Sequence, residues 1–387
     1  MQIPPFSLEA QISEIGDEIE EALIKVFRSG KYIGGEEVAS FEKAFALAIE
    51  TSYSVSCNSG TDALILALRA LNIGQGDEVI TSSFSFFATA EAITSVGARP
   101  VFVDIDPENY LMDLDLLEKA ITPRSKAILP VHLFGHPLDM DKIMAIAESN
   151  NLKVVEDCAQ AAGAYWRGKP VGSYGDIGCF SFFPTKNLGA AGDGGAITTN
   201  DFDLAKTIRE LAIHGMPKRY FHTNIGYNSR LDSLQAAILN VKLIRLNKWI
   251  KQRKEIAINY INQLSAIDSI ELPSNTFVNN SGHSWYQFVI RIMDNSFIKN
   301  IKSNSDDVFD NLNRDLFKTE LHRLGVNTII YYPIPIHLQP AYKNLEYKEG
   351  SLPVTEKVCS QVISLPIFPE LKSIQQSYVI DKIKEQF

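Results

Sequence analysis

The chain has 387 residues, more than one hydrophobic core usually accommodates, and 45% apolar with 21% charged residues exclude a disordered chain. A formal net charge of −9 argues against a nucleic-acid partner. Four scattered cysteines without a CxxC pair point away from a zinc site or a disulfide framework, so no metal is expected and a reducing compartment fits.

The opening residues Met1-Gln2-Ile3-Pro4-Pro5-Phe6 lack a charged n-region and an apolar h-region. No apolar run reaches the length of a membrane span, so a cytoplasmic protein is expected. Ile12, Ile15, Ile19, Leu23 and Val26 share one face and predict an amphipathic helix over 8–28. Gly30 and the Gly34-Gly35 pair end it, and a second helix is predicted over 36–50. A short strand over 53–57 runs into Asn58-Ser59-Gly60-Thr61-Asp62, and a helix follows over 63–70. A strand, a small polar turn and a helix start make an anion-binding geometry; simple N-capping by Ser59, Thr61 or Asp62 is the alternative.

Strands over 77–81, 99–103, 126–131 and 153–157 then alternate with helices ending at 96, over 115–120 and over 139–149. That alternation predicts a parallel sheet wrapped by helices, with ligands beyond the carboxyl ends of its strands. Asp157 stands at one such end, followed by small residues. Another strand, over 177–182, leads to Pro184-Thr185-Lys186 and a run of glycines. A strand over 196–200 and a helix over 203–213 precede an irregular segment to Leu231. One long helix is predicted from about Asp232 to about Leu264, suited to connecting domains. The tail reads as a smaller α+β unit with strands over 285–292 and 328–331 and helices over 315–324 and 371–385. Residues 294–313 read as a polar insertion loop. The expected division is a large domain over 1–245 and a small one over 246–387.

Lys186 alone supports two readings. It is a lysine that snorkels to water, or one drawn into a pocket where desolvation favours the neutral, nucleophilic amine. Together with an acid at a second strand end and an anion turn on the same sheet edge, the second reading prevails. An imine-forming lysine, a carboxylate for a ring nitrogen and a phosphate cradle are what pyridoxal 5′-phosphate requires. Lys186, Asp157 and the Ser59-Gly60-Thr61 turn with Ser181 fill those roles, and Phe86 is expected against the ring, ahead of Phe84.

Four ordered segments carry a resemblance: 53–64, 155–161, 181–189 and 228–237. They are similar to the DegT/DnrJ/EryC1/StrS sugar aminotransferases of the aspartate-aminotransferase superfamily, and 332–339 extends the likeness. The resemblance implies an α/β architecture of PLP fold type I, with a mostly parallel sheet in the large domain and a smaller α+β C-terminal domain. It implies Lys186 as Schiff-base lysine and proton shuttle, Asp157 on the pyridinium nitrogen and Gln160 against the ring hydroxyl. Gly60, Thr61 and Ser181 are implied as phosphate ligands. Asn228 is implied to reach the cofactor phosphate of a neighbouring subunit, hence a homodimer. Arg230, His337 and Tyr32 are implied substrate contacts.

The implied reaction is transfer of an amino group from L-glutamate, leaving 2-oxoglutarate, to a keto-sugar nucleotide for glycan or surface-polysaccharide biosynthesis. The motif wording is most similar to the subgroup acting on dTDP-3-keto-6-deoxyhexoses. Related dehydratases typically carry a histidine where this chain has Lys186. A non-catalytic regulator would have lost the lysine or the acid. The segment Met216–His222 is expected to help shape the sugar site, and Lys218 or Arg219 could meet a diphosphate, although a surface loop is the plainer reading.

Overall fold

The computed structural model describes residues 1–274, 282–293 and 313–387. The predicted insertion loop lies outside the described residues, apart from Asn313, which begins the helix Asn313–Arg323.

The strand signals of the first half assemble into one seven-stranded sheet. Its strands are β1 (Tyr53–Cys57), β2 (Glu78–Ser82), β3 (Arg99–Val103), β4 (Ser125–Ile128), β5 (Lys153–Asp157), β8 (Ile177–Ser181) and β9 (Gly195–Thr199), in the order β1-β9-β8-β5-β4-β2-β3. A two-residue hairpin, β6 (Tyr165–Trp166) and β7 (Lys169–Pro170), stands apart and was not anticipated. β8, β5, β4, β2 and β3 pair in parallel, and β9 alone runs antiparallel to both its neighbours. The register sets Asp157 beside Cys179, and Gly195 between Cys57 and Ser181. The carboxyl ends of β1, β5 and β8 therefore meet at one edge.

Central strands buried on both faces read as near-continuous apolar runs, and the wrapping helices supply the other half of that core. Val79, Ile80, Ala127, Ile128, Val154 and Val155 are fully buried, with Ala63, Leu66 and Ala67 of the helix Gly60–Ala70 against them. A second cluster pins β8 from its other side. Phe45 meets Phe180 edge-on at 5.0 Å, and Phe41 meets Phe182 edge-on at 5.3 Å. Each such pair contributes about 0.5–1.5 kcal/mol beyond its buried area. The helix Glu36–Ala48 thus holds the strand that leads to Lys186.

The predicted single helix over 232–264 is two helices, Ser233–Leu243 and Leu246–Leu264. No Gly or Pro marks the break. The first helix packs against both N-terminal helices, whereas Ile256, Ala257, Tyr260, Ile261 and Leu264 of the second enter another core. Two different packing partners set two axes. Leu246 still packs with the aromatic cluster, so the second helix is shared between the cores.

That other core is built on a three-stranded antiparallel sheet of β10 (Ile270–Glu271), β11 (Phe288–Ile292) and β12 (Val362–Leu365). Ile3 joins it from the opposite end of the chain, through a bridge to Val326. The strand predicted over 328–331 is only an isolated bridge between Ile329 and Ser364. Asp104, just past the end of β3, accepts bonds from Val354 N, Thr355 N and Thr355 Oγ1, at 3.0, 2.8 and 2.7 Å. It caps the helix Pro353–Gln361 across some 250 residues of sequence, joining the two sheets.

Candidate active site

A cavity of about 540 Å³ opens at the strand edge. The large sheet supplies most of its wall, and Tyr286, Ile330, Tyr331 and Tyr332 close it from the C-terminal part. Gly60, Thr61, Phe86, Asp157, Gln160, Ser181 and Lys186 all line it.

One wall is the start of the helix Gly60–Ala70. Ser59 caps it, its Oγ accepting from Asp62 N at 3.1 Å. The N–H groups of Gly60 and Thr61 precede any carbonyl of their own helix and sit at the cavity wall. Ser59 thus supplies the cap, which leaves the N–H groups of Gly60 and Thr61 available to an anion. A Cβ on Gly60 would stand 2.6 Å from Ser181 Cβ, so only glycine permits this approach between the helix and β8.

The opposite wall carries Asp157, 4% exposed at the end of β5. Its Oδ2 accepts from Thr89 Oγ1 at 2.8 Å and its Oδ1 from Ala159 N at 3.1 Å. Thr89 is held in turn by Ser85 Oγ at 2.7 Å. Burial pushes the carboxyl of Asp157 above the usual range, against the opposing pull of Ala159 N–H, Thr89, Lys186 and His132. Both bonded partners are neutral, so the buried carboxylate is short of a cationic donor.

Lys186 leaves β8 through a tight turn. Its N–H donates to Phe183 O at 2.8 Å, and Ala190 N donates to Phe182 O at 2.7 Å. A Cβ on Gly189 would lie 2.4 Å from Pro184 O, which explains the glycine there. The buried ammonium of Lys242 donates to Gly189 O at 2.8 Å and Asn187 Nδ2 donates to Ser284 O at 3.1 Å, clamping the turn from two sides. Lys186 Nζ lies 4.3 Å from the ring centre of Tyr286.

Gln160 is fixed at both ends, accepting from Phe134 N at 2.9 Å and donating to Tyr332 Oη at 2.9 Å. Phe86 stands 58% exposed at the cavity, tilted against Tyr332 at 6.2 Å. Phe84 is instead buried in the core, its ring edge-on to Tyr110, Phe134 and Tyr332.

The other expected contacts lie elsewhere. Asn228 and Arg230 are exposed on the segment after the helix Phe202–Ala212 and do not line the cavity. Tyr32 is 40% exposed and donates through Oη to Phe27 O at 3.1 Å. Lys218 and Arg219 are exposed as well. His337 is buried, with Nδ1 at 2.7 Å from Ser83 Oγ and Nε2 at 3.1 Å from Glu356 Oε1. Its N–H also donates to Ser83 Oγ at 3.0 Å, so it ties down the loop that carries Phe86.

Thr89, Asp193, Tyr286, Tyr331 and Tyr332 line the cavity without having been singled out. The turn beginning at Tyr331 shapes the site through the two tyrosines rather than through His337. Tyr286 carries no local signal, because it opens what reads as an ordinary buried strand.

One buried cluster has the look of a metal site: His132, Glu156 and Cys158. The Glu156 carboxylate is already filled. Tyr174 N and Gly175 N donate to Oε1, and Gly172 N to Oε2, each at 2.8 Å; His132 Nε2 lies 3.1 Å from Oε2. Leu138 N donates to His132 Nδ1 at 3.1 Å, which leaves the Nε2 proton for Glu156. A second cavity, of about 440 Å³, lies at the amino ends of the strands beside Glu78, Arg99 and Arg124, and Arg124 is committed to Glu78 at 2.6 Å.

The family model described as the DegT/DnrJ/EryC1/StrS aminotransferase family matches residues 13–384. The chain belongs to this family. Its relatives include the dTDP-3-amino-3,4,6-trideoxy-alpha-D-glucose transaminase of Streptomyces venezuelae, 41% identical over 99% of this chain and 96% of the relative. The UDP-N-acetyl-3-dehydro-alpha-D-glucosamine 3-aminotransferase of Acidithiobacillus ferrooxidans is 44% identical over 99% and 97%. The crystal structure of S. venezuelae DesV in complex with a ketimine intermediate superposes with a TM-score of 0.92, at 41% identity, covering 99% of this chain and 98% of that one.

The DegT/DnrJ/EryC1/StrS aminotransferases use pyridoxal phosphate, and the cavity fits it. The helix start at Gly60, which a Cβ would push away from Ser181, puts N–H groups at the cavity wall where a phosphate would be held, and Asp157 lacks the cation that a protonated ring nitrogen would provide.

Proposed function

We propose that the protein transfers an amino group from L-glutamate to C3 of a keto-sugar nucleotide, a dTDP-3-keto-6-deoxyhexose in the first instance. The observation that carries this reading is the meeting of Lys186 and Asp157 in one cavity with the helix start at Gly60. The two relatives described above differ in nucleotide but are both named for an amino group at C3, which supports the position more than the base. Lys186, where related dehydratases carry histidine, supports transfer over dehydration. The intact lysine and acid likewise argue against a regulator without turnover.

Pyridoxal phosphate, when bound, supplies an electron sink for negative charge on the reacting carbon. Asp157 would keep the ring nitrogen protonated, which makes the sink effective. Gly60 and Thr61 N–H, with Ser181, would hold the phosphate at the helix start. Phe86, at the cavity wall, would cover one ring face and exclude water. Gln160, locked by Phe134 and Tyr332, has one amide proton left for the ring hydroxyl. Lys186 Nζ takes the α-proton of the amino donor and later delivers a proton to the sugar carbon that receives nitrogen, a role worth about 10²–10⁴-fold.

The active unit in this reading is a homodimer. Asn228 and Arg230 are exposed beside other exposed residues of the same segment, Tyr220, Phe221 and Ile225, as an interface that completes the neighbour's site would require. Tyr32 joins this rim. All four cysteines are free and buried, which suits a reducing cytoplasm, and no described helix is long and apolar enough to cross a membrane.

The test is incubation with L-glutamate and a panel of 3-keto and 4-keto sugars on dTDP, UDP and GDP, read by mass spectrometry, beside sedimentation analysis of the assembly. A 3-amino product should form with wild type and not with Lys186→Ala. No product from any keto-sugar would overturn the substrate class, and wild-type turnover by Lys186→Ala would overturn the role of the lysine.

A further inference from the structure

We propose that Tyr286 is a positioning residue for Lys186, its ring face seating the ε-amine whenever that amine is not bonded to the cofactor. The inference rests on the transaminase reading, in which a free lysine amine must stay close to the reacting carbon during proton transfer.

Lys186 Nζ stands 4.3 Å from the ring centre, within the range of a cation over an aromatic face. The charge of Lys186 also acts on the phenol, as does the neighbouring side chain of Gln287. Thr185 Oγ1 lies 3.4 Å from the same oxygen. Burial pulls the phenol upward, yet Lys186 and these donors bring it below the ordinary tyrosine value. Tyr331, Tyr332 and Arg253 are the other titratable groups acting on it. A tyrosine serving only the core needs one backbone acceptor for its hydroxyl. Here the hydroxyl meets the side chain of Thr185, and the ring face meets the lysine that performs the chemistry.

The seat is rigid. Tyr286 is 7% exposed. The buried guanidinium of Arg253 donates through Nη1 to the carbonyls of Trp285, Tyr286 and Ile367, at 3.2, 3.3 and 3.1 Å. Trp285 stacks on His283 at 3.9 Å, and Gln287 N donates to Phe134 O at 3.3 Å. A flexible lysine released from the cofactor thus meets a fixed partner from the second core, and its several torsions are restrained between its uses.

The first experiment uses the full-length protein stripped of cofactor. It is labelled briefly with fluorodinitrobenzene, and the adduct at Lys186 is quantified by peptide mass spectrometry. Tyr286→Leu removes the aromatic ring and should raise labelling of Lys186 by roughly three- to tenfold, the range a cation–aromatic contact represents. Tyr286→Phe keeps the ring and should fall between, with exposed Lys343 unchanged in both as the internal standard. In the loaded protein, Tyr286→Phe should lower kcat of the glutamate half-reaction while leaving KM in place. Unchanged labelling in both variants, with wild-type melting temperature and near-UV circular dichroism for Tyr286→Phe, overturns the proposal, even if activity falls. A wild-type chain that fails to transaminate removes the transaminase reading instead, and the labelling result still decides whether Tyr286 holds the amine.

Discussion

A methyl group at Gly60 probes the anion cradle directly. Built on the backbone as it stands, the new Cβ lies 2.6 Å from Ser181 Cβ, 3.1 Å from Ser181 Oγ and 3.2 Å from Ser181 Cα. Carbon atoms in contact prefer about 3.5 Å, so a gap of nearly 1 Å must open. β8 cannot supply it, being paired with β5 on one side and β9 on the other. The body of the helix cannot supply it either, because Ala63, Leu64 and Ala67 are buried against the sheet. The displacement falls on Ser59-Gly60-Thr61, the turn whose N–H groups are assigned to the phosphate. Moving an N–H donor outward by that distance takes it beyond hydrogen-bond range. A bond to a charged acceptor is worth about 1.5–3 kcal/mol, so Kd for the cofactor should rise roughly ten- to hundredfold. Overpacking should also cost the apoprotein about 1–3 kcal/mol, visible in its melting temperature. The binding assay belongs in a Lys186→Ala background, where no covalent bond masks the phosphate term; absorbance titration then compares that variant with Gly60→Ala/Lys186→Ala. A Kd within twofold between them would refute the placement of the phosphate at this turn.

Asp157→Asn keeps a group able to accept from Thr89 or Ala159 but carries no charge to hold a ring proton. Its half-reaction with glutamate should slow by about 10²-fold or more at unchanged cofactor content, and an unaltered rate would remove Asp157 from the chemistry. Lys242 predicts a pH dependence of stability. Burial lowers its ammonium from 10.5 to about 8, opposed by the charge of Glu370. Because the folded value is depressed, the fold sheds this proton before the unfolded chain does, so the group's contribution is complete above 10.5 and lost as pH falls through 8. Thermal melts of wild type and Lys242→Met should therefore separate in favour of wild type as pH rises from 8 to 10.5, by up to about 3 kcal/mol. Parallel curves would mean that Lys242 is not buried as a cation.

Much of this architecture is written locally. The strands at 53–57, 99–103 and 153–157 fall where short alternating or apolar stretches between turn signals predict them. The polar turn after Cys57, the acid ending β5 and the lysine leaving β8 are legible for the same reason. Each is a residue type that a local element alone does not need. The parallel pattern then brings their ends to one edge, so the cofactor class followed from composition, order and resemblance together.

Other features were settled by contacts that no window of sequence contains. The break at Ile244-Arg245 has no Gly or Pro and arises because consecutive helices serve different cores. His337 has the chemistry of a substrate ligand, but packing turns it onto Ser83 and Glu356. Asp104 looks like a turn cap and instead caps a helix from the far end of the chain. Tyr286 reads as one more buried strand residue until the second core brings it over Lys186. The sequence alone determined which groups can carry the chemistry, because that depends on residue type and local backbone. Which of them meet was decided by tertiary structure, because burial and hydrogen-bond partners depend on long-range packing.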